Sequence, residues 1–113
     1  MHLEKELSKR IIDEILSYFY AYDILEIRIG LEYTEEGLYM EFQGITDVPP
    51  TNLAMLADFL NTPRDPSMEI YYQELLGLPS HGEEIYRLIG NMIDDVEIMY
   101  DQPVLNIKLF RRI

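Results

Sequence analysis

The chain has 113 residues, 48% of them hydrophobic, and its 9 Lys and Arg residues against 21 Asp and Glu residues give a net charge of −12. This length and composition predict a single domain over residues 1–113, and the acidic charge disfavours binding to nucleic acid or to anionic lipid. The lack of cysteine excludes disulfides and thiolate sites, while the lack of a leader pattern or a long apolar run predicts a cytoplasmic protein without a membrane span.

The first predicted element is an amphipathic helix over residues 3–22. Its apolar stripe recurs at helical spacing and consists of Leu3, Leu7, Ile11, Ile15 and Tyr18. The end of this helix is rich in aromatic residues, namely Tyr18, Phe19, Tyr20 and Tyr22. We expect these rings to pack against a sheet, and a stacking platform for a ligand is the alternative.

Two alternating stretches come next and predict an antiparallel hairpin with one apolar face. Apolar and polar residues alternate over residues 25–33 and again over residues 38–43, which is the period of a half-buried strand. The polar turn between them ends at Gly37. We expect helices to cover the apolar face, and Pro49 and Pro50 to end the sheet.

Three further helices and a second hairpin are predicted after the prolines. The helices cover residues 53–60, 66–76 and 85–93. Thr51 or Asn52 is the predicted cap of the first, Asp65 and Pro66 begin the second, which ends at Gly77, and Ser80 with Glu83 forms a capping box before the third. Residues 96–100 and 105–109 alternate again and predict two final strands. The order predicts an α+β fold, a two-layer α/β sandwich in which a four-stranded, mainly antiparallel sheet carries helices on one face.

The order of elements and two segments resemble the histidine-kinase-type ATPase fold, the GHKL superfamily, and especially its small anti-sigma-factor serine kinases. The segments are the first hairpin, residues 25–42, and residues 85–112, where a helix, an acidic step and two strands follow one another. The resemblance implies an ATP–Mg²⁺ site formed by the first helix, the loop after the hairpin and a glycine-rich segment before the last helix.

The nucleotide-binding residues that the resemblance implies are only partly present. Glu14 stands where the family has its activating glutamate, but the Mg²⁺-binding asparagine has no counterpart near Ser17. Asp47, displaced, is the one stand-in for the aspartate that binds adenine, and Gly82 is the one glycine left near the phosphates. Each lost charge-assisted hydrogen bond removes roughly 1.5–3 kcal/mol from a micromolar affinity of about −8 kcal/mol. We therefore expect a degenerate ATPase fold that has lost its nucleotide.

The other groups of polar residues match no known motif for a metal site or for a catalytic nucleophile. His81 near Glu83 and Glu84 matches no zinc motif, and the acidic run over residues 94–101 lacks the glycine and the final glutamate of a calcium loop. The chain also lacks the glycine-flanked serine of a hydrolase.

The predicted partner-binding surface consists of methionine and aromatic side chains within residues 51–76, together with the rim of the aromatic end of the first helix. Those within residues 51–76 are Met55, Phe59, Met68, Tyr71 and Tyr72, for which packing over the sheet is the alternative. We predict a non-catalytic regulatory protein without a cofactor that binds another protein, either a basic one or a regulator of the sigma and anti-sigma type.

Two alternative functions stay open on the sequence. The first is an ATP-binding serine kinase similar to the anti-sigma factors, with ATP and Mg²⁺ as cofactors, Glu14 as base, Asp47 on adenine and Gly82 near the phosphates. The second is an acidic inhibitor or nucleic-acid mimic that binds the groove of a basic partner through its charge.

Overall fold

The computed structural model describes residues 2–69 and 83–113, which form an α+β fold. The elements follow the order that the sequence predicts: α1 (His2–Ala21), β1 (Ile27–Tyr33), β2 (Gly37–Ile45), α2 (Leu53–Leu60), α3 (Glu83–Asn91), β3 (Asp95–Asp101) and β4 (Val104–Arg112). Residues 66–69 are also helical. The predicted fold class is confirmed.

The four strands form one antiparallel sheet in the order β1-β2-β4-β3. Alternate residues of the two central strands are buried on one face: Leu38, Met40, Phe42, Leu105, Ile107 and Leu109. The helices lie on this face, where a Cβ added to Gly44 of β2 would come within 3.5 Å of the Phe19 ring of α1. The result is the predicted two-layer sandwich with helices on one side.

The core lies between this sheet face and the helices. Its fully buried helical side chains include Leu7, Ile11, Ile15 and Phe19 of α1, Leu56 and Leu60 of α2, and Ile89 of α3. Helices α2 and α3 approach closely at Gly90, where a Cβ would lie 2.6 Å from the carbonyl oxygen of Phe59. Glycine is needed there because no side chain fits between the two backbones.

Several predicted boundaries and caps differ from the structure. Strand β2 continues to Ile45, beyond its predicted end at residue 43, because β4 supplies partners as far as Val104. Asn52 precedes α2, but its side chain does not cap the helix; its Oδ1 accepts a hydrogen bond from the Tyr18 hydroxyl at 2.9 Å. The predicted helix over residues 66–76 is described only to residue 69. The predicted helix cap at Gly77 and capping box at Ser80 lie outside the described residues.

Helix α1 is the longest described helix, with 20 residues, and it is amphipathic. Among the helices of residues 2–69 and 83–113, none combines the length and the apolar character that crossing a membrane requires.

Candidate functional site

Glu14, the predicted catalytic base of the kinase alternative, is buried on the inner side of α1. Its side chain is 6% exposed, and its Oε1 lies 3.7 Å from the Nη2 atom of Arg10, one turn earlier on the helix. On α3, burial and then the nearby Glu14 charge raise the pKa of Tyr86. Glu14 therefore faces the junction between α1 and α3.

Three tyrosine rings pack at this junction. The ring centroid of Tyr18 lies 5.2 Å from that of Tyr22 and 5.9 Å from that of Tyr86, the latter in an edge-to-face arrangement. Burial raises the pKa of Tyr18, and the neighbouring Tyr22 and Tyr86 raise it further. As predicted, Tyr18 and Phe19 pack in the core, whereas Tyr20 is 55% exposed and does not pack against the sheet as predicted. The cluster ties the end of α1 to α3 and to the loop before α2.

Asp47, the predicted adenine ligand of the kinase alternative, is exposed in the loop after β2. Its carbonyl oxygen accepts a hydrogen bond from Gln102 Nε2 at 3.2 Å. Burial raises the pKa of Tyr100 on β3, and the Asp47 carboxylate adds to this rise. Asp47 thus has neighbours in the second hairpin, whereas Glu14 faces α3. Gly82, the third predicted residue of that alternative, lies outside the described residues.

The predicted partner-binding residues are partly exposed where the structure describes them. Met55 on α2 is 48% exposed. Phe59 lies one turn further along α2, and its ring packs beneath the guanidinium of Arg87, 4.8 Å from the ring centroid. We call Met55, Phe59 and Arg87 the α2 surface. Met68 is partly buried, and Tyr71 and Tyr72 lie outside the described residues.

Arg111 on β4 is a buried cation that belongs to none of the predicted sites. Its side chain is 3% exposed. The guanidinium donates to Glu4 through Nε and Nη2, both at 2.8 Å, to Glu69 through Nη1 at 2.6 Å and Nη2 at 3.3 Å, and to the Met92 carbonyl through Nη1 at 2.8 Å. These bonds use all five guanidinium donors. Arg111 therefore joins α1, β4 and the segment that contains Glu69.

A second arginine extends this arrangement toward the sheet. Arg64 donates to Glu69 through Nε at 3.3 Å and Nη2 at 3.2 Å, and to Asp94 through Nη1 at 2.6 Å. Asp94 in turn accepts a hydrogen bond from the backbone N–H of Arg112. We call Glu4, Arg64, Glu69, Asp94 and Arg111 the Arg111 network. Its charges pair with one another, which is typical of a structural role.

The alternating pattern of β4 is enough to predict that Arg111 lies on the buried face of the sheet. Leu105, Ile107 and Leu109 occupy every second position on the buried face, and Arg111 is the next residue of that series. A strand of period two therefore predicts that Arg111 points toward the helices, where a charge requires partners.

The apolar face of β1 is only partly covered, contrary to expectation. Ile29, Leu31 and Tyr33 are 40%, 46% and 39% exposed, although their register partners on β2 are buried. The hydroxyl of Tyr33 donates to Ser8 Oγ of α1 at 3.2 Å. The helices cover the inner strands more fully because β1 lies at the edge of the sheet.

The outer face of the sheet carries charged and aromatic side chains. A depression of about 470 Å³ extends over β1, β2 and β4 and is lined by Gly30, Glu32, Tyr39, Glu41 and Lys108, among others. Lys108 Nζ lies 3.8 Å from Glu41 Oε2, so the two charges at its base pair with each other. Within the described ranges no group of three or more His, Asp or Glu side chains is arranged to hold a metal ion.

No known protein family, characterised protein or solved structure matches the chain. What the structure establishes is the fold, an α+β arrangement built on a four-stranded antiparallel sheet.

Proposed function

We propose that this protein is a non-catalytic regulatory domain that binds another protein, on a fold that resembles a degenerate GHKL ATPase. The observation that carries the proposal is the α2 surface. Met55 is half-exposed there, beside an aromatic ring that a guanidinium covers. Methionine and aromatic side chains of this kind adapt to a partner and supply much of the binding energy at protein interfaces.

The packing between α1 and α3 supports a non-catalytic role. If the chain bound ATP as the resemblance implies, the nucleotide would lie among α1, the loop after β2 and the segment before α3. The rings of Tyr18, Tyr22 and Tyr86 pack against one another at that junction. These rings fill space that a nucleotide at this junction would need.

The charge of the chain favours a basic partner. With a net charge of −12, the protein attracts cationic surfaces over a distance set by ionic strength, and it repels nucleic acid. Arg87 beside Phe59 adds a local cation that would pair with a carboxylate of that partner. A regulator of the sigma and anti-sigma type is the partner that the resemblance implies.

Two exposed methionines provide a matched test of the α2 surface. Met55 on α2 is 48% exposed and Met99 on β3 is 52% exposed, so an aspartate at either position adds the same charge at a similar exposure. Proteins retained from the native host by the immobilised wild-type chain should be lost with Met55→Asp and kept with Met99→Asp. If both variants retain the same proteins, the α2 surface is not the binding site.

A second candidate function is ATP binding, and the position of Glu14 favours it. The residue lies on the first helix, where the resemblance expects the activating glutamate, and it is buried near Tyr86 of α3. A nucleotide that binds only the folded state raises the midpoint of thermal unfolding by mass action. We expect millimolar Mg-ATP to leave the midpoint of this protein unchanged. A rise that the Glu14→Gln and Asp47→Ala variants abolish would replace our proposal with the kinase alternative.

A further inference from the structure

The exposed edge of β1 presents backbone groups that could extend the sheet. Thr34 N–H donates to the Gly37 carbonyl at 2.8 Å, and Ile45 N–H donates to the Glu26 carbonyl at 3.1 Å. The even-numbered residues of β1 therefore direct their backbone groups toward β2. Because these directions alternate along an antiparallel strand, Ile27, Ile29, Leu31 and Tyr33 direct their N–H and C=O groups toward the open side.

When β1 pairs with the β1 strand of a second copy, the facing side chains are complementary in charge and in polarity. In an antiparallel pair centred on Gly30, Arg28 of each copy lies opposite Glu32 of the other copy. On the opposite face of the strand, Ile29 lies opposite Leu31. Opposite charges and apolar pairs at facing positions each stabilise strand pairing. Within the described residues, neither Arg28 nor Glu32 has an ion-pair partner in the isolated chain.

From this complementarity we infer that the protein forms a symmetric dimer in which the β1 strands of two copies pair antiparallel about Gly30. The two four-stranded sheets then form one continuous eight-stranded sheet, with all helices on the same face. In this register Ile29 and Leu31 form hydrogen-bonded pairs with each other, because their backbone groups point outward. The half-exposed Ile29, Leu31 and Tyr33 become covered from the side that is open in one copy.

Gly30 supports this register because nothing in the part of the chain that the structure describes requires glycine there. A Cβ at this position would meet no atom within 4 Å, and the pairing of β1 with β2 continues through it without a bulge. Glycine inside a strand weakens the strand and often marks a place where another backbone approaches. At the centre of the proposed dimer, the two Gly30 residues form a non-hydrogen-bonded pair with Cα atoms about 4.5 Å apart.

The opposite edge strand, β3, does not place complementary side chains against each other when two copies pair. An equivalent pairing of β3 about Ile98 would place Asp95 of one copy opposite Asp101 of the other at both ends. Glu97 would face Met99 and add no attraction. Like charges directly opposite each other destabilise strand pairing, so the second copy is expected at β1 and not at β3.

Charge reversal at the β1 edge tests the dimer directly. Sedimentation equilibrium of the 113-residue chain should give a dimer that Arg28→Glu or Glu32→Arg alone weakens by about tenfold or more, since each places like charges at both ends of the interface. The double variant Arg28→Glu with Glu32→Arg should restore the dimer, which a merely misfolded variant could not do. Lys108→Glu changes the charge equally on β4 and should leave the dimer intact.

A single cysteine tests the register in this cysteine-free chain. Only residue 30 lies opposite itself, at a Cα separation of about 4.5 Å, which is within the range of a disulfide. Gly30→Cys should therefore form a covalent dimer under mild oxidation, and Glu32→Cys should form little. A monomeric wild-type chain at every concentration, assembly beyond the dimer, insensitivity to the charge reversals, or equal cross-linking of the two cysteine variants would each overturn the inference.

Discussion

Strands β1 and β4 have the same alternating pattern but different surroundings. Leu31 of β1, Met40 of β2 and Leu109 of β4 stand side by side in one row across the sheet. Leu109 is 2% exposed and Met40 is 1% exposed, whereas Leu31 is 46% exposed. The pattern thus determines which face of the sheet a side chain occupies, and the place of the strand in the sheet determines whether that face is covered.

Two residues further along each strand, a second row across the sheet shows the same contrast for polar groups. Tyr33 of β1 and Arg111 of β4 lie on either side of Leu38. At the edge, the Tyr33 hydroxyl needs only Ser8 and stays partly in solvent. In the interior, the Arg111 guanidinium is enclosed and engages every one of its donors. A polar group on the covered side of the sheet is therefore tolerated only where the fold provides partners.

The largest predicted effect comes from replacing Arg111, the enclosed polar residue of this pair. Arg111→Met should lower the free energy of unfolding by about 3–5 kcal/mol, because Glu4 and Glu69 would remain poorly solvated without their cation. Urea unfolding measures this change. Arg112→Met is the matched control, because Arg112 is exposed, its guanidinium lies over the Phe110 ring, and its loss should cost about 1 kcal/mol or less. Equal losses in both variants would contradict a special role for the buried position.

A second prediction compares two leucines that flank the same methionine. Leu109→Ala should lower the free energy of unfolding by about 2–5 kcal/mol, because it leaves a cavity in the core. Leu31→Ala should lower it by about 1 kcal/mol or less, because about half of its side chain is already in water. Both are measured by urea unfolding at a concentration where the chain is monomeric. Similar values would show that the helices cover β1 in solution.

The smallest predicted effect is a pH dependence of the Arg111 network. Hydrogen bonds from Arg111 hold the pKa of Glu4 below its ordinary value of 4.5, although partial burial opposes this. The stabilisation by ionised Glu4 is therefore present above pH 4.5 and is lost as the pH falls through the lower pKa of the folded state. Glu4→Gln should be less stable than the wild type at neutral pH, and the difference should shrink on acidification. Thermal midpoints between pH 6 and pH 3 measure it, and parallel curves would contradict the assignment.

Local patterns account for the elements of the fold. Period-two alternation identified four strands, and apolar spacing identified α1, α2 and α3, because these signals arise within a few neighbouring residues. The boundaries were less accurate where a distant partner decides them. Strand β2 reaches Ile45 because Val104 lies opposite, and no local signal near residue 45 reveals that.

The candidate sites were predicted less completely because they depend on contacts between distant segments. The two-residue alternation of β4 is enough to place Arg111 on the buried face. It does not identify the partners Glu4 and Glu69, because they are 107 and 42 residues away in the sequence. The exposure of Leu31 is not predictable from the sequence for a related reason. The strand order β1-β2-β4-β3 leaves β1 at an edge of the sheet, and alternation within β1 does not indicate the strand order. The sequence predicts Thr51 or Asn52 as the cap of α2, whereas the Asn52 side chain accepts a hydrogen bond from the Tyr18 hydroxyl and does not cap the helix.

The central place of β4 has a consequence for how the protein is made. Strand β4 is the last of the four to leave the ribosome, yet it pairs with β2 on one side and β3 on the other. Until residues 104–112 emerge, neither the early hairpin nor β3 has the neighbouring strand with which it pairs in the described sheet. The pairing of β2 with β4 joins segments far apart in sequence, and non-local pairing of this kind slows folding. A nascent chain stalled before residue 104 would expose Leu38, Met40 and Phe42 to chaperones.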